Sequence, residues 1–540
     1  MKNKILSLLL VLTLIVSVFA GCTKAPVEDD DTKISDNKGN ENDDEEEEPT
    51  PEILSYLTLR KVGNSDAEYD NSDGSYTCYV KYSYSGVELC EEDATLYPGL
   101  DASLKALNDE LGNLTLDEYS QYKEWAEESL ANDEDAYFPY FTDRDMLVRR
   151  ADNKVLSLTV LLSNYSGGAH GWEGDFPRSF DVKTGKEIKF VDIVKDIDKM
   201  YDYITERLKE KYADEWDMFI QFDTDEDPYE LYKNGTAEQG FYFNNEGITV
   251  VFNPYDLAAY AVGSQQVYIP YEGNEELFTD GSYFEEHMDD YSVGIDSGNP
   301  YTGNIFGDGE EHTFVYYAGV NQEDTDYIEN LYFGVDDQSF TIKADFYAFS
   351  YNAYLLKNSA GKVYFYLMTS EFNDYKIVYV YEVTKDGVKL LEETTGYIWT
   401  PTVEGGDWWT WGGVLVDPDN FYVDIRTDIL GTTHIYTLSH IGDNGLFAPY
   451  NDVYTFAADF SVTLKQSITV DVVSESGEKT GTMTLNSGDV LSAYRTDNNT
   501  YVDLLTEDKT IVRINVTATY PFEVDGIPMD ELFDGIMYAG

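Results

Sequence analysis

The alternation of apolar and polar positions divides the chain before any composition is counted. Lys2 and Lys4 are followed by an uncharged apolar run, Ile5 to Ala20, broken only by Ser7, Thr13 and Ser17. A basic start followed by an apolar run shorter than the ~20 residues of a spanning helix predicts a cleaved export signal over residues 1–21. The run stops at Val18-Phe19-Ala20-Gly21-Cys22, whose small residues before a cysteine resemble a lipobox, although Phe19 stands where Leu is usual. Cys22 is therefore expected to carry a lipid anchor, held by ~0.8 kcal/mol per buried methylene. An ordinary secretory signal with an incidental Cys22 is the alternative. Thr23 to Pro51 is almost free of apolar residues and contains the acidic run Asp43 to Glu48. Residues 22–52 cannot bury a core, so they are expected to form a disordered, extended spacer.

Beyond the spacer the periodicity changes twice. Residues 53–280 mix helix and strand patterns. Leu104, Leu107 and Leu111 share a helical face, and Thr115-Leu116-Asp117-Glu118 has the form of a capping box opening a second helix with Tyr119, Tyr122, Trp125 and Leu130. Lys154 to Ser163 is a β run, and Phe180 to Phe190 and Gly240 to Phe252 are predicted hairpins. Ile193, Ile197, Tyr201, Ile204 and Leu208 recur at helical spacing. This order predicts an α+β domain with helices packed on an antiparallel sheet. Residues 281–460 show almost only strands, such as Thr313 to Tyr317, Val363 to Leu367 and Ile377 to Val383, which fits a propeller-like or sandwich domain. Residues 461–540, with strands at 468–473, 480–485, 501–504 and 511–516, fit a small SH3-like barrel. The predicted class is thus an α+β domain followed by an all-β region.

Charge narrows the partners. The 36 basic and 103 acidic residues give a net charge of −67. Such a field repels phosphate backbones and anionic membrane surfaces, so nucleic acid is not expected as a partner, while cations and basic proteins are attracted. Solubility at a crowded wall would call for the same charge. With 46 Tyr beside 27 Phe and 7 Trp, the chain suits strands that face solvent on one side. Cys78 and Cys90 lie in a segment that alternates like a hairpin (Tyr76, Cys78, Val80, then Val87, Leu89), so in an exported protein they form either a disulfide or two free thiols.

Two separated motifs add what composition cannot. Tyr165-Ser166-Gly167-Gly168-Ala169-His170-Gly171, followed by Phe180-Asp181 and Thr184-Gly185-Lys186, comes first. Gly247 to Gly263, with Asn253-Pro254-Tyr255-Asp256 at its centre, runs on to Val267-Tyr268-Ile269-Pro270-Tyr271. Together they resemble an extracellular domain family of unknown function. Its members include the ectodomain of the lysozyme-sensing anti-sigma factor RsiV and the N-terminal part of the peptidoglycan deacetylase PdaC. Tyr97-Pro98-Gly99-Leu100 resembles the companion N-terminal region of those proteins, and the likeness spans roughly residues 53–280. The resemblance implies a capacity to bind lysozyme or wall material. The export signal replaces a signalling membrane helix, and no deacetylase ligand set follows among His287, His312, His434 and His440. Neither an anti-sigma role nor deacetylation is therefore expected.

Local chemistry points the same way. His170 stands alone in sequence, without the further ligands a metal needs, so a packed or hydrogen-bonded imidazole is the expectation. Asp223-Thr224-Asp225-Glu226-Asp227 has the hard oxygens Ca²⁺ takes but lacks an EF-hand's glycine and distal glutamate. Calcium remains open beside a solvated acidic loop. Trp408, Trp409 and Trp411 could stack on sugar rings or pack between strands. No nucleophile elbow, P-loop or dinucleotide fingerprint occurs after residue 53. The expected protein is a non-enzymatic lipoprotein on the extracellular side of the cell membrane, binding a lysozyme-like cationic protein or peptidoglycan, with no metal or other cofactor required. The first expected contact surface is His170, Trp172, Tyr255 and Tyr260. A wall-polysaccharide-modifying enzyme and a structural envelope lipoprotein are the alternatives.

Overall fold

A computed structural model describes residues 54–70, 77–132, 139–223, 226–279, 281–284, 287–321, 326–348, 350–370, 376–399 and 413–539. Cys22, the spacer and Trp408, Trp409 and Trp411 lie outside them. The chain is strand-rich, with several sheets and few helices. Among the described residues the strand pairings close no barrel and build no propeller.

The first sheet has the order β1 (Leu59–Asp70), β2 (Thr77–Leu89), β3 (Tyr140–Ala151), β4 (Val155–Tyr165), β5 (Trp172–Asp181). β2 and β3 run parallel, which requires a crossover, and the helix α1 (Pro98–Ala131) supplies it. Where two helices are expected from the sequence, one runs unbroken through 34 residues. Thr115 does not cap: its hydroxyl donates to the Leu111 carbonyl at 2.8 Å, and Glu118 reaches across to Arg144 at 2.9 Å. Leu100, Leu104, Leu107 and Leu111 of α1 pack on Leu156, Leu158 and Val160 of β4. The opposite face of β4 is also buried but polar. There Ser157 accepts from the Phe243 amide, and Thr159 from Arg149.

That polar face meets a second layer, the antiparallel sheet β6 (Gly240–Phe243), β7 (Gly247–Phe252), β8 (Gln265–Pro270), whose first two strands form the hairpin predicted over Gly240 to Phe252. The helix α2 (Ile197–Lys211) buries Met200, Tyr201, Ile204 and Leu208 in the core beside β6–β8. Further along, β9 (Tyr291–Ile295), β10 (Tyr301–Gly303), β11 (His312–Val320), β12 (Tyr327–Val335), β13 (Gln338–Tyr347), β14 (Ser350–Lys357), β15 (Val363–Ser370), β16 (Lys376–Thr384) and β17 (Gly387–Thr395) form two sheets, β10–β13 and β17-β16-β15-β14-β9. These two share one core. β15 shows why its sequence is continuously apolar: Val363, Phe365 and Leu367 face that core, while Tyr364, Tyr366 and Met368 face another. A last sheet carries strands Tyr397–Trp399, Phe421–Thr427 and Thr433–Ile441 through to the C-terminal strands Ile468–Val473 and Ile511–Asn515. Those C-terminal strands are therefore edge-continuous with earlier ones instead of closing on themselves.

Candidate functional site

The turn between β4 and β5 is built by its glycines. Gly167 and Gly168 have φ of 94° and 111°, and a Cβ on Gly167 would meet the Tyr140 hydroxyl at 2.7 Å. The turn projects His170 into solvent, where its ring stacks on Tyr260 with centroids 4.5 Å apart. His170 Nδ1 lies 2.7 Å from the Gly171 carbonyl, which can only accept, so Nδ1 carries the proton. The Tyr260 hydroxyl donates to the same carbonyl at 3.2 Å, and Tyr255 adds a third ring 5.4 Å from Tyr260. Three of the four residues expected at the contact surface are thus one cluster.

Trp172 is not part of it. Residues directly opposite on neighbouring strands share a face, and β5 pairs Phe176 with Val160. Val160 packs in the core with α1, so Phe176, Gly174 and Trp172 point to the α1 side. The Trp172 ring lies over Gly174 and packs 5.8 Å from Phe176. Glu173 and Asp175 alternate to the other face, with the His170 cluster.

Tyr255 is held at φ 74°, an outlier for a bulky aromatic, and is 52 % exposed. Such strain persists only where neighbours over-determine it. Here Asn253 and Asp175 exchange two hydrogen bonds, Asp175 N to Asn253 Oδ1 at 2.7 Å and Asn253 Nδ2 to Asp175 O at 3.0 Å. Asp256 Oδ2 then accepts from the Asn253 amide at 2.7 Å. From Asp175 the network runs inward: Asn299 Nδ2 donates to Asp175 Oδ1 at 2.8 Å, and Asn299 Oδ1 accepts from Arg149 Nη2 at 3.0 Å. Arg149, 2 % exposed, also donates to Thr159 and to the Gly294 carbonyl, and stands over the rings of Tyr242 and Tyr301. A buried relay thus ties β3, the 296–299 segment, β5 and the Tyr255 turn together. Tyr255→Asn should keep the melting temperature at or above that of the wild type, because asparagine takes positive φ at less cost, by about 1 kcal/mol. A clear drop in melting temperature would show that the turn is not strained.

The electrostatics of this face are acidic. Burial and then the neighbouring Glu173 carboxylate raise the Tyr260 hydroxyl. Burial also pushes Asp175 up, with Arg149 and the side chains of Asn299 and Gln266 opposing. Asp296 is pushed up to about 7, by burial first and by Asp145 next, with Lys61 opposing and Glu173 adding to the rise. Lys61 itself pairs with Asp145 at 2.8 Å. An unfolded aspartate releases its proton near pH 4, whereas folded Asp296 holds it to about 7, so folding takes up a proton between those values. Stability contributed here is present below about pH 4, falls as pH rises to 7, and changes no further above. Melting temperatures between pH 5 and 8 should decline less steeply in Asp296→Asn than in the wild type; identical slopes would contradict this.

The remaining candidates separate from this site. Cys78 and Cys90 are free thiols, and the expected hairpin between them is instead the single strand β2. Cys78 is its second residue and Cys90 follows its last, so at ~3.3 Å per residue they stand roughly 40 Å apart, beyond any disulfide. In the acidic loop, residues 224 and 225 lie outside the described set, while Asp227 accepts from Lys233 Nζ at 2.7 Å. His312 lies between Asp336 and Asp308, His434 meets Asp424, and His440 packs 4.7 Å from Tyr450. Among the described residues no group of three His, Cys, Asp or Glu side chains could hold a metal, and no helix is long and apolar enough to cross a membrane. Arg149, Glu173, Asp175 and Asn299 are the members the sequence does not announce. Asn253 and Asp256 sit inside the second motif.

Residues 190–272 match the model of a family described as a protein of unknown function, DUF3298, so a domain of that family is found there. The stretch holds α2, β6–β8 and the turn with Tyr255 and Tyr260, and it begins after the His170 turn. Two DUF3298 crystal structures are similar. One, from Bacteroides fragilis NCTC 9343, is 19 % identical, with a TM-score of 0.32 and 42 % of this chain and 94 % of that one covered. The other, from Pseudomonas aeruginosa PAO1, is 14 % identical, with a TM-score of 0.29 and coverages of 43 % and 99 %. Neither likeness is close enough to carry an argument. No curated protein matches the chain.

Proposed function

We propose that this protein is a non-enzymatic binding lipoprotein, anchored through Cys22 on the extracellular side of the cell membrane, that recognises lysozyme-like cationic proteins or peptidoglycan. Residues 53–280 act as an RsiV- and PdaC-like extracellular domain, and residues 22–52 hold it away from the membrane. The observation that carries this reading is the His170–Tyr260–Tyr255 cluster, three part-exposed rings in contact, of which Tyr255 stands on a strained turn that a buried charged relay holds fixed. Rigid, part-exposed aromatics supply contact area at low entropic cost, as binding surfaces require.

The net charge of −67 supports a cationic protein as the favoured partner, since opposite charge speeds encounter and makes binding salt-dependent. Peptidoglycan, which the rings could stack upon, is the other ligand. Pull-downs of the protein with an animal-type lysozyme and with purified peptidoglycan, each at two salt concentrations, test the reading. Capture of lysozyme that weakens at high salt is expected. Capture of neither ligand at low salt would overturn it, and release of acetate or reducing sugar from peptidoglycan would make the protein an enzyme instead.

A further inference from the structure

We propose that Lys61 and Asn352 become joined by an intramolecular amide bond, which the chain forms by itself with Asp145 as the proton-transfer group and ammonia as the product. The bond is independent of the binding role proposed above.

Three groups from separate strands meet at one nitrogen. Lys61 Nζ of β1 stands 2.8 Å from Asp145 Oδ1 of β3 and donates to Asn352 Oδ1 of β14 at 3.2 Å. The Lys61 side chain is only 13 % exposed. An ammonium can only donate, so it faces the oxygen of the Asn352 amide. Asn352 Nδ2 is turned the other way and donates to the Tyr397 hydroxyl at 2.6 Å. The carbonyl is thereby presented to the amine, and the nitrogen that must leave is held apart from it. Asp145 is fixed as well, since its Oδ1 also accepts from the buried Ser85 hydroxyl. Asp145 alone would complete an ordinary ion pair. The oriented amide makes it an acyl-transfer site, because an amine and a carbonyl already in contact have met the orientation cost that keeps amide exchange slow in solution.

Burial works against the Lys61 ammonium, but Asp145 outweighs it, so the resting amine keeps its proton. The first step passes that proton to Asp145 along their 2.8 Å contact, and burial of the amine lowers the cost of discharging it. Asp296 holds its own proton up to about 7, so below that pH it adds no charge to keep the lysine ionised. The neutral Lys61 nitrogen then attacks Asn352 Cγ, and the carbonyl electron pair moves to Oδ1. Collapse re-forms the carbonyl and breaks the Cγ–Nδ2 bond, while Asp145 relays the proton lost by the new amide nitrogen to the departing one. Ammonia leaves with the proton first taken from Lys61. One C–N bond forms and one breaks: an ammonium and a carboxamide become an amide and an ammonium ion, without oxidant or cofactor. The two residues are 291 positions apart. Tension on a chain anchored at Cys22 enters the fold at β1, and the bond carries it directly to β14, past residues 62–351.

Mass spectrometry of a tryptic digest of the full chain reads the bond. A linked Lys61 resists trypsin, so the wild type should give one branched peptide, residues 61–81 joined to 344–357, lighter than their sum by one ammonia. Lys61→Arg keeps the charge and the ion pair but cannot form the amide, and Asp145→Asn removes the proton carrier. Each should lose the branched peptide and release 62–81 and 344–357 separately, with circular dichroism confirming that the variant folds. The wild-type digest decides without either variant. Residues 62–81 and 344–357 recovered apart from the folded wild type would overturn the proposal. A branch from 61–81 to 145–149, lighter by one water, would also overturn it by placing the link on Asp145, and a 61–81 to 344–357 branch that persists in Asp145→Asn would overturn the role of Asp145.

Discussion

Arg149→Met is expected to destabilise the protein by about 3–5 kcal/mol, seen in calorimetry as an earlier unfolding transition. Methionine fills much of the space but provides no donors. Asn299 Oδ1, Thr159 Oγ1 and the Gly294 carbonyl would lose theirs, and Asp175 would lose the positive charge that opposes its burial. The rings of Tyr242 and Tyr301 would lose the cation above them. The damage should reach the surface, because Asn299 positions Asp175 and Asp175 positions the Asn253–Tyr255 turn. A variant with an unchanged melting profile would show that the relay is incidental.

A loss of similar size is expected from Asp503→Ala, on the strand Tyr501–Leu505. Asp503 has no exposed side chain and accepts from Arg495 Nε at 2.9 Å and from Arg513 Nε and Nη2 at 2.7 and 2.8 Å. Both arginines sit on neighbouring strands directly opposite it, and Arg513 also covers the Tyr501 ring at 3.6 Å. Removing the carboxylate leaves two guanidiniums repelling one another at a part-buried site, which costs about 3–5 kcal/mol. A melting temperature of Asp503→Ala equal to the wild type would refute this. Lysozyme or peptidoglycan capture, measured below the lowered transition, should be unaffected.

Helical periodicity made α2 legible, and the strand pattern over Gly240 to Phe252 marked the β6–β7 hairpin. Both are local patterns. The same local logic misread α1, because a threonine with a glutamate three residues on has the form of a capping box whether its hydroxyl caps a new helix or bonds back to the turn before. It misread Cys78 and Cys90 because alternation alone does not show where a strand turns; β2 runs straight through. At the site, His170 and Tyr260 sit in recognisable motifs. Trp172, two residues from His170, was separated from it by the pleat of β5, whose register is fixed only by pairing with β4. Arg149 and Asn299 are 150 positions apart, and no periodicity records such a contact.

The central claim is that the His170–Tyr260 face is where a cationic partner binds, and one measurement addresses it directly. Lysozyme affinity is compared between the wild type and the double variant His170→Ala/Tyr260→Ala, at low and at physiological salt, with folding checked by melting temperature. At least a tenfold loss, about 1.4 kcal/mol or more, with a melting temperature close to the wild type, is the predicted result. Wild-type affinity in a folded double variant would place binding elsewhere and contradict the account.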